Sequence, residues 1–141
     1  MSIAIITGAS SGIGAEFARG LVRRGADELW LVARRKDRLE SLGEELGVKY
    51  QVICADLTSS EGINIVREEL EREKTRVKYL ICAAGFGDFG GFDELADSAV
   101  ERMIDLNVKA LVLITHMVLP YMERGGRIVE LGSGSCFTPL P

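Results

Sequence analysis

Thr7-Gly8-Ala9-Ser10-Ser11-Gly12-Ile13-Gly14 is the stretch that decides the fold, because it joins a short β-rich run to an amphipathic helical stretch. Gly8 permits a tight turn, Gly12 lets the backbone approach a pyrophosphate, and Gly14 lets the helix pack close to the strand. Backbone N–H groups and the positive end of the helix attract phosphate, and the two serines can add hydroxyl donors. These eight residues predict a phosphate-binding loop.

Apolar runs alternate with amphipathic stretches along the whole chain. The predicted strands are Ser2 to Thr7, Glu28 to Ala33, Lys49 to Cys54, Val77 to Ala83 and Arg127 to Leu131. Helices are predicted from Ile13 to Gly25, Asp37 to Leu46, Ser60 (as a cap) to about Lys74, and roughly Ala99 to Glu123. This order predicts an α/β fold in one domain over residues 1–141. Right-handed crossovers favour a doubly wound, Rossmann-like parallel sheet of order 3-2-1-4-5 with helices on both faces.

The composition excludes several classes of function. Apolar residues make up 47% and charged residues 27% of the 141, as in an ordinary globular protein. A formal net charge of -4 without a basic face argues against a nucleic-acid partner. With a single histidine, His116, and scattered carboxylates, the sequence predicts neither a metal site nor a histidine-dependent triad. Cys54, Cys82 and Cys136 show no CxxC spacing and are expected to be small buried or semi-buried residues.

The sequence also carries expectations about location. The N-terminus lacks the basic leader and long apolar core of a signal peptide. The longest apolar stretch, Ala110 to Leu119, is interrupted by Thr115 and His116 and is too short to span a bilayer. We therefore expect a protein of the reducing cytoplasm without a membrane partner.

The spacing of the phosphate loop, Thr-Gly-x3-Gly-x-Gly, differs from the usual GxGxxG and resembles the classical type of the short-chain dehydrogenase/reductase family. The resemblance extends from residue 2 to the end of the chain. It implies an oxidoreductase that uses a nicotinamide dinucleotide. By this resemblance, the pyrophosphate and the ribose next to the nicotinamide lie against the loop residues Gly8, Ser10, Ser11, Gly12, Ile13 and Gly14.

The residues after the second predicted strand favour NADP(H) over NAD(H). An acidic residue at this place would accept hydrogen bonds from a ribose 2′-hydroxyl, but the chain reads Ala33-Arg34-Arg35-Lys36. Arginine suits a 2′-phosphate because its planar fork donates two hydrogen bonds and keeps its charge. Arg34 is the first choice for that contact and Arg35 supports it; the alternative is a solvated basic loop. Some NADP-preferring members of the family carry a basic residue where this chain has Ser11.

Two further segments match the cofactor-binding pattern of the family. The resemblance implies that Asp56 contacts the adenine amino group and that Leu57 lines the adenine pocket, although a turn aspartate is the alternative. After the fourth strand, Ala83-Ala84-Gly85 keeps the Ala-Gly of the family pattern without its asparagines. The backbone there is expected to line the ribose sites, with some loss of local rigidity.

The catalytic residues of the family are only partly present. Asn107 matches the helix asparagine that positions a water molecule, and Ser133 matches the catalytic serine, with Ser135 as its competitor. The resemblance implies a Tyr-x3-Lys pair about a dozen residues beyond the serine, which falls past Pro141. The residues four positions after Tyr50, Tyr79 and Tyr121 are Cys54, Ala83 and Gly125, so none of these tyrosines has a lysine partner.

These observations predict the N-terminal cofactor-binding portion of an NADP(H)-dependent enzyme that interconverts alcohols and carbonyls, inactive as this chain alone. The alternatives are a non-catalytic NADP(H)-binding module and one half of a split enzyme. An unpaired edge at Arg127 to Leu131 and the apolar face of the helix from Val108 to Met122 predict self-association.

Overall fold

The computed structural model of the chain describes residues 3–138, which form five strands and five α-helices. The strands are β1 (Ile3–Thr7), β2 (Glu28–Ala33), β3 (Lys49–Cys54), β4 (Val77–Cys82) and β5 (Met122–Glu130). The helices are α1 (Gly12–Arg23), α2 (Lys36–Leu46), α3 (Ser60–Glu73), α4 (Asp97–Ile104) and α5 (Leu111–Val118). A π-helical segment, Asp105–Ala110, joins α4 to α5, and three-residue 3-10 helices lie at Phe92–Glu94, Leu119–Tyr121 and Gly134–Cys136.

The strands form one parallel sheet in the order β3-β2-β1-β4-β5, which confirms the predicted topology. Thr7 pairs with Val32 on one side and with Cys82 on the other. Ala33 pairs with Cys54 on the next strand. The carboxyl ends of β1 to β4 therefore meet at one edge of the sheet, where parallel α/β proteins bind ligands.

Helices cover both faces of the sheet, as predicted, and each face has its own core. One core packs α3 and α5 against the sheet through Ile63, Val66 and Ile114. The other packs α1 and α2 through Ala18 and Leu39. Every residue of β1 and β2 is buried, which is why these strands read as continuous apolar runs rather than as alternating patterns.

The structure corrects three local predictions. Ser59, and not Ser60, caps α3, because its Oγ accepts a hydrogen bond of 3.0 Å from the N–H of Gly62. β5 begins at Met122 instead of Arg127, since Met122 already pairs with Val77 and a register shift separates the two parts of the strand. The cysteine expectation holds only for Cys82; the other two cysteines, Cys54 and Cys136, are exposed.

The helical region from Asp97 to Tyr121 is longer than the apolar stretch that the sequence shows. Within residues 3–138 it is the one helix long and apolar enough to cross a membrane, with 25 residues and a mean hydropathy of 1.4. Length and composition are weak criteria, because core helices of proteins outside membranes meet them too. Ala110, Ile114 and Val118 of this helix are buried in the core against the sheet.

Candidate functional site

A groove of about 670 Å³ lies along the carboxyl edge of the sheet, between the start of α1 and the segments that follow β2, β3 and β4. The structure brings together here every residue that the sequence predicts to contact a dinucleotide. These residues are Gly8, Ser10, Ser11, Gly12, Ile13, Gly14, Arg34, Arg35, Asp56, Leu57, Ala83, Ala84 and Gly85. Their individual roles in binding remain predictions.

Two glycines of the phosphate loop, Gly8 and Gly14, are required by close backbone contacts. A Cβ on Gly8 would lie 2.7 Å from backbone atoms of Ala83 and Ala84. A Cβ on Gly14 would lie 2.3 Å from the carbonyl oxygen of Gly8. Gly12 has a φ of 56°, and apart from its chain neighbours and the adjoining helix backbone no atom of the described residues lies within 4 Å of the position its Cβ would take. The loop is therefore tight against the protein and open at Gly12, as an approaching diphosphate requires.

The two arginines after β2 have different surroundings. The Nη2 of Arg35 donates hydrogen bonds to the hydroxyls of Ser10, at 3.0 Å, and Ser11, at 3.1 Å. Arg35 thus ties the segment after β2 to the phosphate loop, a contact that the sequence did not reveal. Arg34 is exposed beside the carboxylate of Asp56. Both arginines line the groove.

Asp56 makes the turn that the sequence offered as an alternative, and it still lines the groove. Its Oδ1 accepts hydrogen bonds from the hydroxyl of Thr58, at 2.7 Å, and from the N–H of Thr58, at 3.0 Å. These two bonds, with the charge of Arg34, lower the pKa of the Asp56 carboxyl below its ordinary value. The group is therefore ionised at neutral pH and can only accept hydrogen bonds.

Two side chains hold the segment after β4. The Oγ1 of Thr7 accepts a hydrogen bond of 3.2 Å from the N–H of Ala84. The side chain of Asn107 donates to the carbonyl of Phe86 at 2.7 Å and accepts from the N–H of Phe86 at 3.0 Å. This pair of bonds holds the backbone next to Gly85 in place. The sequence predicts lower rigidity in this segment, because it lacks the asparagines of the family pattern. The predicted role of Asn107 in positioning a water molecule is a separate matter and stays a prediction.

Ser133 is not among the described residues that line the groove. It caps the 3-10 helix Gly134–Cys136, and its Oγ accepts a hydrogen bond of 3.1 Å from the N–H of Ser135. Its hydroxyl also lies 2.5 Å from the hydroxyl of Ser135, so the predicted catalytic serine and its competitor contact each other. The structure therefore describes the predicted catalytic serine but does not place it in the lining of the groove.

Sequence reasoning missed the part of the groove that α4 and the following segment supply. Arg102 and Leu106 line it, although they follow the phosphate loop by more than eighty residues. Among the described lining residues there are three arginines and one carboxylate, Asp56. The groove is therefore basic in a chain whose net charge is -4, which suits an anionic ligand.

A doubly wound parallel sheet with a glycine loop at the start of α1 and a basic groove at its carboxyl edge defines a Rossmann-like protein of the dinucleotide-binding class. The profile of the short chain dehydrogenase family matches residues 2–141. The chain belongs to this family.

Individual relatives agree with this assignment. Sulfoacetaldehyde reductase 2 of Chromohalobacter salexigens is 38% identical over 148 residues, which cover 99% of this chain and 57% of the relative. The 11-beta-hydroxysteroid dehydrogenase of Pinus massoniana is 37% identical over 145 residues, covering 99% of this chain and 40% of the relative. The chain therefore spans about half the length of the curated relatives it matches.

Solved structures show the same fold. A short-chain dehydrogenase from Sphingobium yanoikuyae in complex with NADPH superposes with a TM-score of 0.87 at 39% identity, over 99% of this chain and 56% of that one. The bulky-bulky ketone specific alcohol dehydrogenase from Comamonas testosteroni also gives 0.87, at 36% identity, over 99% of this chain and 57% of that one.

Proposed function

We propose that the groove binds NADP(H) and that this chain supplies the cofactor-binding portion of an enzyme that interconverts an alcohol and a carbonyl. The observation that carries the proposal is the alignment of the glycine loop with Arg34 and Arg35 along one basic groove. A similar protein of solved structure is in complex with NADPH, and another is a ketone-specific alcohol dehydrogenase. Both support the choice of cofactor and reaction.

Each part of the groove would bind a different group of the cofactor or substrate. The backbone of the glycine loop would hold the diphosphate, and the arginines after β2 the 2′-phosphate. The ionised Asp56 would accept a hydrogen bond from the adenine amino group. Bound NADPH would supply the hydride. Ser133, which follows the carboxyl end of β5, would hydrogen-bond the substrate oxygen.

The second candidate is a non-catalytic NADP(H)-binding module, and the third is one half of a split enzyme. They differ from the leading proposal in the source of the Tyr-x3-Lys pair, because no tyrosine in the given sequence is followed four positions later by a lysine. Proton transfer to the substrate oxygen in this family depends on that pair, by the resemblance described above. A second chain carrying the pair would restore turnover only in the split enzyme.

The chain is expected to bind NADPH saturably and to reduce no carbonyl above the rate of the buffer. Binding is measured by titration calorimetry and turnover by the loss of reduced nicotinamide in the presence of a panel of ketones and aldehydes. Heat-denatured chain serves as the control for both. A chain that binds neither NADPH nor NADH would overturn the proposed function, and measurable turnover would favour a proton donor other than the tyrosine of the family.

We also propose that the chain self-associates. An apolar stripe of Ile104, Val108, Val112 and Leu119 runs along the long helix, and the side chains are 54% to 59% exposed. β5 also ends the sheet and presents an unpaired edge among the described residues. Burial of either surface by a second copy would remove apolar area or unpaired backbone groups from water.

Small-angle scattering over a range of concentrations is expected to show dimers or larger species. Val112→Lys places a charge in the apolar stripe and should shift the equilibrium toward monomer if this surface is used. Glu71→Lys introduces a lysine at an exposed position of α3 and should leave the equilibrium between monomer and larger species unchanged. A compact monomer of the unaltered chain at the highest concentration would contradict the proposal.

A further inference from the structure

We propose that Arg102 forms one wall of the adenine subsite, with its guanidinium plane stacked on the face of the adenine ring. This inference rests on the proposed function, since it assigns a contact within the same groove. It goes beyond the glycine loop and the segments after β2, β3 and β4, because Arg102 belongs to α4.

The position of Arg102 along the groove follows from its neighbour one helical turn later. Leu106 lines the same groove and packs against the buried cluster that contains Ala55 and Leu57. Residues four apart on a helix lie on the same face, so Arg102 extends the wall that Leu106 begins. The segment after β3 contributes Asp56 and Leu57 to this same groove, so we assign the wall to the end predicted to hold adenine.

The guanidinium of Arg102 is free to meet a ligand. The residue is exposed, and among residues 3–138 its side chain takes part in no ion pair or hydrogen bond. The acid three residues later, Asp105 of the π-helical segment, is engaged elsewhere, because it pairs with Lys109 at 2.5 Å. An arginine that lines a groove without a carboxylate partner keeps its charge and its planar surface available.

Stacking of Arg102 on adenine accounts for this arrangement better than a contact of Arg102 with the 2′-phosphate. Arg35 is bound to the serines of the phosphate loop, and Arg34 lies beside Asp56, so the 2′-phosphate already has two candidate partners. The edge of the adenine has Asp56 as its acceptor. Its face needs a flat or apolar surface, and a guanidinium on a wall that continues into Leu106 offers both.

Titration of the full chain with NADPH and with NADH tests the assignment. Arg102→Ala should weaken the binding of both dinucleotides by about five- to tenfold, because both carry the same adenine. Arg102→Lys keeps the charge and loses the plane, so it should recover little of the lost affinity. Arg76→Ala removes an exposed arginine next to the start of β4 and should change neither affinity. Circular dichroism checks that each variant is folded.

Each other outcome has a definite meaning. Unchanged affinity of Arg102→Ala for both dinucleotides overturns this inference and leaves the proposed function standing. A loss confined to NADPH, restored by Arg102→Lys and diminished by added salt, would assign the residue to the 2′-phosphate and overturn the stacking. An unaltered chain that binds neither dinucleotide would overturn both proposals together.

Discussion

Replacement of Gly14 by alanine is expected to abolish dinucleotide binding and to lower the free energy of unfolding by about 3 kcal/mol. The added Cβ would lie 2.3 Å from the carbonyl oxygen of Gly8 and 2.7 Å from its carbonyl carbon. Both are backbone atoms of a turn that is itself pressed against Ala83 and Ala84, so neither can yield by rotating a side chain. The start of α1 must move away from β1, and the phosphate loop loses its shape.

Gly20→Ala, on the same helix, is the matched control for this variant. Its Cβ would meet only the Nη2 of Arg23, at 3.8 Å, which a flexible side chain can accommodate. Alanine is also the better helix former, so the free energy of unfolding should rise by about 0.5–1 kcal/mol and binding should not change. Urea denaturation and NADPH titration measure both quantities. If Gly14→Ala and Gly20→Ala changed the free energy of unfolding and the NADPH affinity equally, the argument for close contact at Gly14 would be removed.

Substitution of the arginines after β2 is expected to weaken the binding of NADPH more than that of NADH. Arg34→Ala should weaken NADPH by roughly 1.5–3 kcal/mol, the scale of charged hydrogen bonds, or about tenfold to a hundredfold, with little effect on NADH. Arg35→Ala should also weaken NADPH, and it releases the hydroxyls of Ser10 and Ser11. The double variant should bind the two dinucleotides with similar affinity.

Lys36→Ala is the control for the charge of this segment. Lys36 follows the two arginines directly and lies 3.5 Å from Glu40 on α2, where it is exposed to solvent. Its removal should leave the ratio of the two affinities unchanged. Equal losses of NADPH and NADH in the arginine variants would remove the reason to prefer NADP(H), since a 2′-phosphate contact exists in only one of the two cofactors.

The sequence predicted most of the sheet because its inner strands are buried on both faces. Strands such as β1 and β2 then consist almost wholly of apolar residues, and the sequence marks their limits clearly. β5 is different: its first half, from Met122 to Gly126, contains a glutamate, an arginine and two glycines. These residues have low strand propensity, and they fall within the register shift between the pairs Met122–Val77 and Arg127–Tyr79.

The groove was predictable to the extent that its residues lie next to strand ends. Glycines and arginines that directly follow β1 and β2 reach the site through local chain geometry. Arg102 reaches it only through the path that the chain takes after β4, and a lone arginine on a helix gives no such signal. The hydrogen bonds of Asn107 to Phe86 depend in the same way on tertiary structure.

The single tryptophan of the chain lies at the centre of this architecture. Trp30 is fully buried in β2, its indole N–H donates a hydrogen bond of 3.2 Å to Glu28, and two residues later the strand reaches the groove at Val32. A reduced nicotinamide ring absorbs light in the range in which tryptophan emits. The chain therefore contains one optical donor, buried in the strand that leads to the groove, whose emission should report occupation of the groove by a reduced nicotinamide cofactor without any added dye.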